Sequence, residues 1–478
     1  MTYDIIIIGA GSAGIPCAIC AAERGLSVLL VEKENEVGGT LHVTAGHMSA
    51  GGTRRQKECS IDDNTANHWA DVQRISHNTA DEIIAKKAVE LAPVTIDWLQ
   101  DLGYRFHEKA PLIIYGHEAY DQPRTYFGAD DYFGGSIMQP GKAVLKTLLP
   151  VFEKLTAAKK IELLTKHSLT KINCSHNKVN TIEVIGNGTK KIFTGKNIVL
   201  TTGGYAADKI FFEQNHPGFR LISTSKESST GDGIKAAIEI GAVFQNANKH
   251  ISTLGGIETE PGTGRADFWK AWARVSNSND RKPREIYVNK NGQRFMNEFD
   301  LTVDERERIV LQQPYQCFYV LFDESSLQDG AGIVVQWNTL QFKKEAAKEK
   351  CCWAAGSIRE LAKKIKVPEE NLIATITAFN KAVSLQSDEV FGRTYLQDSL
   401  TQAPYYALLV NAYSLISFGG IKVNEQLQVM HHNGTAIKNL YAAGEILGAG
   451  ATSGNAFCGG MLLTPAISFG KWLGENIG

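Results

Sequence analysis

Residues 4–9, Asp-Ile-Ile-Ile-Ile-Gly, run directly into Gly9-Ala10-Gly11-Ser12-Ala13-Gly14, and no other feature constrains the fold as strongly. The β-branched run has the length and unbroken apolarity of a strand buried on both faces of a parallel sheet. Pro16 to Arg24 then reads as a helix and Leu26 to Glu32 as a second strand, giving a βαβ opening. In such a unit the first glycine permits the tight turn, the second lets backbone approach a pyrophosphate, and the third allows close helix packing. The helix N-terminus directs its partial positive charge at the phosphates. Glu32 closes the second strand, where a carboxylate accepts hydrogen bonds from ribose hydroxyls. The pattern predicts dinucleotide binding on an α/β fold.

The glycine fingerprint alone does not separate FAD from NAD, but the rest of the chain bears on it. Lys33 and then Gly38-Gly39-Thr40 follow the second strand, Thr201-Thr202-Gly203-Gly204 follows a later one, and Ala443-Gly444-Glu445 follows another. FAD has a long second half to be held along several strand ends, so glycine-permitted contacts spread through the whole chain favour it.

The 478 residues allow two or three domains. Fifty Lys and Arg against 51 Asp and Glu leave a net charge of -1, with no long run of like charge, which argues against a nucleic-acid partner. The opening Met1-Thr2-Tyr3-Asp4 offers neither a basic segment nor a cleavage site, so a cytoplasmic location is expected. Tyr405 to Phe418 comes closest to a membrane span, but Asn411 and Ser414 interrupt it and no span is expected. The eight cysteines show no paired ligand spacing; Cys17 and Cys20 are read as small residues packing the first helix on the sheet.

Helical periodicity over residues 62–102 predicts helices at Ile75 to Leu91 and Pro93 to Leu102, and a further helix spans Lys142 to Lys159. Short β runs with turns over residues 160–200 predict a meander ending in the strand Asn197 to Thr201. The middle of the chain changes character, with polar loops, Trp269, Trp272 and a strand-turn-strand signal at Ile286 to Phe295. The reading is a Rossmann-like FAD-binding domain (1–245 and 354–478) interrupted by a smaller α+β capping domain (246–353). Helices are expected at Ser357 to Lys364 and Pro368 to Gln386.

At this point the sequence resembles the FAD-dependent fumarate reductase and succinate dehydrogenase flavoproteins, together with the 3-ketosteroid dehydrogenases. The likeness rests on Gly9 to Gly14, Gly39-Thr40 with Ala45-Gly46-His47-Met48-Ser49-Ala50, Thr53 to Lys57, and Asp97-Trp98-Leu99 through Gly103. It continues with Thr202 to Tyr205, Thr230-Gly231-Asp232-Gly233, Val288-Asn289 through Asn297-Glu298, and Leu440 to Glu445. The resemblance implies noncovalent FAD, because no histidine aligns with the one that carries covalent flavin and His42 lies two residues away. It implies a substrate between the two domains and hydride exchange at a carbon-carbon bond. FAD contacts are expected from Gly9, Gly11, Ser12, Ala13, Gly14, Glu32, Lys33, Gly39, Thr40, Ala45, Gly46, Thr202, Gly203, Asp232, Glu445, Gly460 and Leu462.

The family's substrate groups are replaced. Thr302 stands where the fumarate reductases carry their arginine acid and the ketosteroid dehydrogenases a tyrosine. Ile416 and Phe457 stand at the positions of the clamp's histidine and arginine. Burying two carboxylates without paired donors costs several kcal/mol, so a dicarboxylate is disfavoured and a carbonyl compound such as an enone or ketosteroid is expected. Candidates for proton transfer or substrate binding are His47, whose imidazole would titrate near neutral pH, Tyr126, Tyr132, Arg124 and Thr302. Asp304 and Arg306 follow the cap motif, His250 approximates another family histidine, and Asn455, Phe457 and Cys458 precede the flavin-contacting Gly459-Gly460. The expected function is oxidation or reduction of a carbon-carbon bond beside a carbonyl of a small molecule, with an electron donor or acceptor that the sequence does not identify. Oxidation of a C-N or C-OH bond, and electron relay without a substrate pocket, remain open at this level.

Overall fold

The computed structural model describes residues 2–114, 117–129, 142–275, 281–328 and 332–478. Tyr132 and the loop around it lie outside the described residues. Strand β1 (Thr2–Ile8) leads into helix α1 (Gly14–Glu23) and strand β2 (Val28–Val31). Among the described residues eight strands form the larger sheet. Its order runs 428–430, 436–442, 178–186, 189–200, β1, β2, 161–164, with Ser168–Ser175 paired to Lys178–Gly186. β1 is parallel to both neighbours, with Ile8 level with Val31 on one side and Leu200 on the other. Ala442 is level with Leu200 in turn. Four strand ends therefore stop at one edge, and Gly9, Glu32, Thr201 and Ala443 step off it together. A parallel sheet binds its ligand at that edge, beyond the carboxyl ends of its strands.

Two glycines are fixed by close approach. A Cβ on Gly14 would lie 1.9 Å from the Gly9 carbonyl oxygen, and Gly9 itself has φ +104° with the Thr201 carbonyl 2.3 Å from its would-be Cβ. Cys17 and Cys20 are buried free thiols, and they pack α1 against the C-terminal helix Leu463–Asn476 through Gly474 as well as onto the sheet. Pro93 does not divide its helix: Glu82–Asp101 is continuous, and the break falls earlier, after Thr65–Ile75. Asp81 sets the restart by accepting a hydrogen bond from the Ile84 amide, a stronger boundary signal than an internal proline.

The second sheet is antiparallel, in the order Thr253–Gly256, Tyr405–Tyr413, Cys317–Asp323, Ile286–Val288, with Cys352–Ala355 also paired to Tyr405–Tyr413. Helices Ile358–Ile365 and Glu369–Leu385 cover one face, burying Leu361, Ile365, Leu372, Ile376 and Phe379 with Ile286, Tyr319 and Ala407. Residues 352–413 thus pair and pack with this sheet, beyond the residue 353 at which the capping domain is expected to end. Helical periodicity reports that a helix has an apolar face but not which sheet that face meets. Among the described residues no helix is long and apolar enough to cross a membrane.

Candidate active site

A cleft opens at the shared strand edge, lined by Gly9, Gly11, Ser12, Ala13, Glu32, Lys33, Gly39, Thr40, Thr202, Gly203, Asp232 and Glu445, among others. No side chain caps α1 and its first turn holds no acidic residue, so the N-terminal amides and their partial positive charge face the cleft uncompensated. Gly11 and Gly39 bring two backbone segments together there, with a Cβ on Gly39 lying 3.2 Å from Gly11 Cα. Thr202 Oγ1 is buried with no hydrogen-bond partner among the described residues, the signature of a group that awaits a ligand.

Glu32 accepts hydrogen bonds from the Ala10 amide (2.7 Å) and the Glu34 amide (2.8 Å), which fixes its carboxylate at the end of β2 with lone pairs to spare for a ribose. Lys33 donates to Asp232 and Thr230, both at 2.8 Å, closing the rim with an internal ion pair. At the other end Glu445 is half-buried and accepts from the Ser417 amide at 3.1 Å; desolvation pushes its carboxyl above the usual range. Gly46 adopts φ +76° next to Ala45, and Gly460 (φ +77°) presses on Ser49, its would-be Cβ 2.5 Å from the Ser49 amide nitrogen. Leu462 precedes the C-terminal helix, whose Thr464 hydroxyl accepts from the same Ser49 amide at 2.8 Å. The loop over residues 45–49 and the segment over 458–464 are thus clasped together. An uncompensated helix N-terminus, a two-glycine approach and an orphaned threonine hydroxyl fit an elongated dinucleotide such as FAD.

The groups expected to move protons are placed differently. His47 is half-buried, its buried Nε2 has no partner among the described residues, and desolvation together with nearby His117 lowers its pKa to about 4. It is neutral at physiological pH, not poised there. Arg124 is sealed between Asp63 and Asp71 with its side chain 1% exposed, so it is no substrate cation. Tyr126 is buried and shares a 2.6 Å hydrogen bond with Thr53, its phenol pushed upward by burial. Thr302 is the N-cap of the helix Val303–Leu311 and forms a capping box with Glu305, which commits its hydroxyl to backbone. Thr302→Ala should therefore cost about 1 kcal/mol in chemical denaturation, the usual value of a lost cap, and leave turnover within about twofold of wild type.

Asp304 pairs with Arg308 at 2.7 Å and meets His77 at 3.1 Å, whereas buried Arg306 donates to the carbonyls of Leu301, Val275 and Phe299. His250 shares a 2.9 Å hydrogen bond with Ser252 Oγ, its amide donates to Asn455 Oδ1, and burial lowers its pKa to about 3. Burial raises the Cys458 thiol to about 12, which removes it as a nucleophile. Ile416 and Phe457 join an apolar cluster with Ile251, Leu311, Leu415, Phe418, Ala449 and Leu462.

Three groups escaped the sequence reading. Arg274 Nε is buried with no hydrogen-bond partner among the described residues. Arg274 sits at a bend two residues after Trp272, with the Val275 amide donating to the Ala273 carbonyl at 2.9 Å, and Trp272 packs with Tyr413, Phe268 and Leu415. Glu307 is 2% exposed, and His117 stacks on Phe457 with ring centroids 4.5 Å apart. Glu307 looked like one charge in the run Asp304-Glu305-Arg306-Glu307-Arg308, yet it falls four residues after Val303 and three before Val310, on the buried stripe.

The sequence profile of the FAD binding domain family matches residues 4–462. NADH:fumarate oxidoreductase of Klebsiella pneumoniae is 29% identical over 99% of the chain, which spans about half that relative's length, 47%. Vinyl phenol reductase of Lactiplantibacillus plantarum is 26% identical, with 100% of this chain and 96% of the relative covered. Among solved structures, 3-ketosteroid delta1-dehydrogenase from Sterolibacterium denitrificans superposes with a TM-score of 0.80 at 19% identity, covering 100% of this chain and 99% of that one. A flavocytochrome c3 fumarate reductase in its open conformation gives 0.76 at 23% identity, covering 100% and 78%.

Proposed function

Because this chain belongs to the FAD-binding domain family, we propose that it is an FAD-dependent reductase of a carbon-carbon double bond in a largely apolar molecule activated by a single carbonyl or comparable oxygen group. Bound FAD supplies hydride chemistry at such a bond. The chain's own contribution begins with holding the cofactor: the α1 N-terminus, Gly11 and Gly39 at the pyrophosphate, Glu32 at the ribose and Glu445 toward the ring end.

The observation that carries the substrate class is the apolar cluster of Ile251, Ile416, Phe418 and Phe457. It stands where the sequence resemblance predicts a histidine-arginine clamp for two carboxylates. Two buried carboxylates facing aliphatic and aromatic carbon lose their hydration without recovering it, at a cost of several kcal/mol each. Arg274, half-buried with a buried Nε that has no partner among the described residues, offers one cation, enough for one oxygen function and not for two. The vinyl phenol reductase, matched along nearly its whole length, reduces by its name an apolar conjugated alkene, which supports this reading over a dicarboxylate.

Anaerobic mixing of the reduced holoenzyme with 2-cyclohexenone, 4-vinylphenol and fumarate tests the assignment through flavin reoxidation. An uncharged alkene should reoxidise the flavin about 100-fold faster than fumarate, the ratio that about 2.7 kcal/mol of unpaired carboxylate burial produces. Fumarate as the fastest oxidant overturns it.

A further inference from the structure

Two polar atoms face each other across the boundary between the large domain and the cap. His117 Nδ1 and Glu307 Oε1 lie 4.0 Å apart. Both atoms are fully buried, and neither has a hydrogen-bond partner among the described residues. Glu307 reaches this point from the cap helix Val303–Leu311, whose Asp304 amide donates to Glu118 Oε1 at 3.1 Å. His117 comes from a loop of the large domain. Its ring lies flat against Phe457, with 11° between the planes, and Glu118 pairs in a β-bridge with Cys458. The pair therefore borders the apolar cluster that contains Phe457 and Ile416.

We propose that His117 and Glu307 are the proton-transfer pair of the reaction, His117 delivering a proton to the substrate carbon and Glu307 holding the proton that replaces it. The proposal rests on the double-bond reading above and supplies the proton source that Thr302, as a helix cap, does not. FAD, when bound and reduced, would supply hydride to one carbon, which leaves the π electron pair at its neighbour. That pair forms the new C–H bond as the His117 Nε2–H bond breaks. Nδ1 takes the Glu307 proton, Glu307 becomes a carboxylate, and a solvent proton restores it. Catalytic hydrogen bonds are often long in a resting site and shorten on substrate binding, so a 4.0 Å gap is within reach of this transfer.

The surroundings set the protonation state that the relay needs. Burial raises Glu307 well above the carboxylate range, and the carboxylates of Asp304 and Glu118 push it further, against the opposing pull of Arg308. Buried Tyr413 faces it from the cap sheet. Burial lowers His117 to about 4, and His117 in turn interacts with neutral His47. Both shifts favour the uncharged forms, a carboxylic acid against a neutral imidazole. Replenishment has a route, since Asp304 lies one turn before Glu307 and contacts His77, whose side chain is 61% exposed. A surface hollow lined by Ser76, His77, Thr79, Arg308 and Asn455 opens there.

The test uses the FAD holoenzyme and Glu307→Gln, an isostere that keeps the volume but donates no acidic proton. Infrared spectroscopy at neutral pH should show a protonated-carboxyl C=O band in wild type that shifts in D₂O and is missing from the variant. If wild type and variant have the same carboxyl bands, Glu307 is ionised and the proposal falls, whatever the substrate. In the second arm, reoxidation of reduced flavin by 2-cyclohexenone should slow about 100-fold in Glu307→Gln with the bound-flavin spectrum unchanged. The wild-type rate should decline as pH rises through the raised Glu307 pKa, and the variant should lose that decline. A variant rate within about threefold of wild type overturns the pair and leaves the substrate class standing. A wild type that no enone reoxidises contradicts the substrate class, and the infrared band then decides for or against the pair.

Discussion

Gly11→Leu should give a folded protein that is colourless. Gly11 is not held by packing: its φ lies outside the left-handed region, and a Cβ there meets nothing closer than Gly39 Cα at 4.0 Å. Any side chain at residue 11 therefore grows into the cleft, across the α1 N-terminus where the pyrophosphate is to lie. The contrast with Gly14 is sharp, because a Cβ at Gly14 collides with the Gly9 carbonyl and damages the fold itself. For Gly11→Leu we expect a loss of FAD affinity of about 100-fold or more, equivalent to about 2.7 kcal/mol. Stability of the apoprotein should stay within about 1 kcal/mol of wild type. Titration of apoprotein with FAD, followed by fluorescence quenching, measures the first, and urea denaturation of the apoprotein measures the second. A Gly11→Leu protein that purifies with stoichiometric flavin would place the pyrophosphate elsewhere.

The largest stability effect is expected at Arg124. Its guanidinium donates to Asp63 at 2.7 and 2.8 Å and also to Asp71, and all three side chains are at most 3% exposed. Arg124→Met leaves two buried carboxylates, one still facing Arg74, without their shared cation. Breaking a buried pair from one side costs about 3–5 kcal/mol, so the unfolding midpoint should drop sharply. Adding Asp63→Asn and Asp71→Asn to Arg124→Met removes the stranded charges and should recover part of the loss. For Asp71 burial alone raises the pKa, but Arg74, the Asp121 amide and Arg124 outweigh it and hold the carboxyl below its ordinary value. A depressed carboxyl contributes stability above its unfolded pKa and loses it as pH falls through the folded value. Wild type should therefore lose this contribution in acid, and Arg124→Met should show a weaker acid dependence. An Arg124→Met midpoint equal to wild type would mean that this triad contributes nothing.

These two sites also show what the chain reveals to a reader of its sequence. The β1 to β2 opening is legible because strand, turn and helix are adjacent in the chain, and Gly9 and Gly14 answer to local steric demands. Thr201, Gly203 and Glu445 are legible for a related reason: each follows directly on a strand, and the ends of parallel strands gather at one edge. Arg124 misleads because its partners, Asp63 and Asp71, are distant in the chain, so a structural cation looks like a free one. Thr302 misleads for less reason, since Thr302-Val303-Asp304-Glu305 has the spacing of a capping box. His117 has no periodic context at all, and nothing in its neighbours announces that its ring meets Phe457. The extent of the cap was illegible because residues 358–413 form ordinary amphipathic helices and a strand whose apolar faces suit either sheet.

The central claim is an FAD held noncovalently in the cleft at the four strand ends, between the α1 N-terminus and Glu445. The most direct measurement is acid precipitation of the purified yellow protein, followed by chromatography of the supernatant. The account predicts that all the flavin is released and that it is FAD, one per chain. Flavin retained in the precipitate, or a protein that stays colourless when apoprotein is offered FAD, contradicts it.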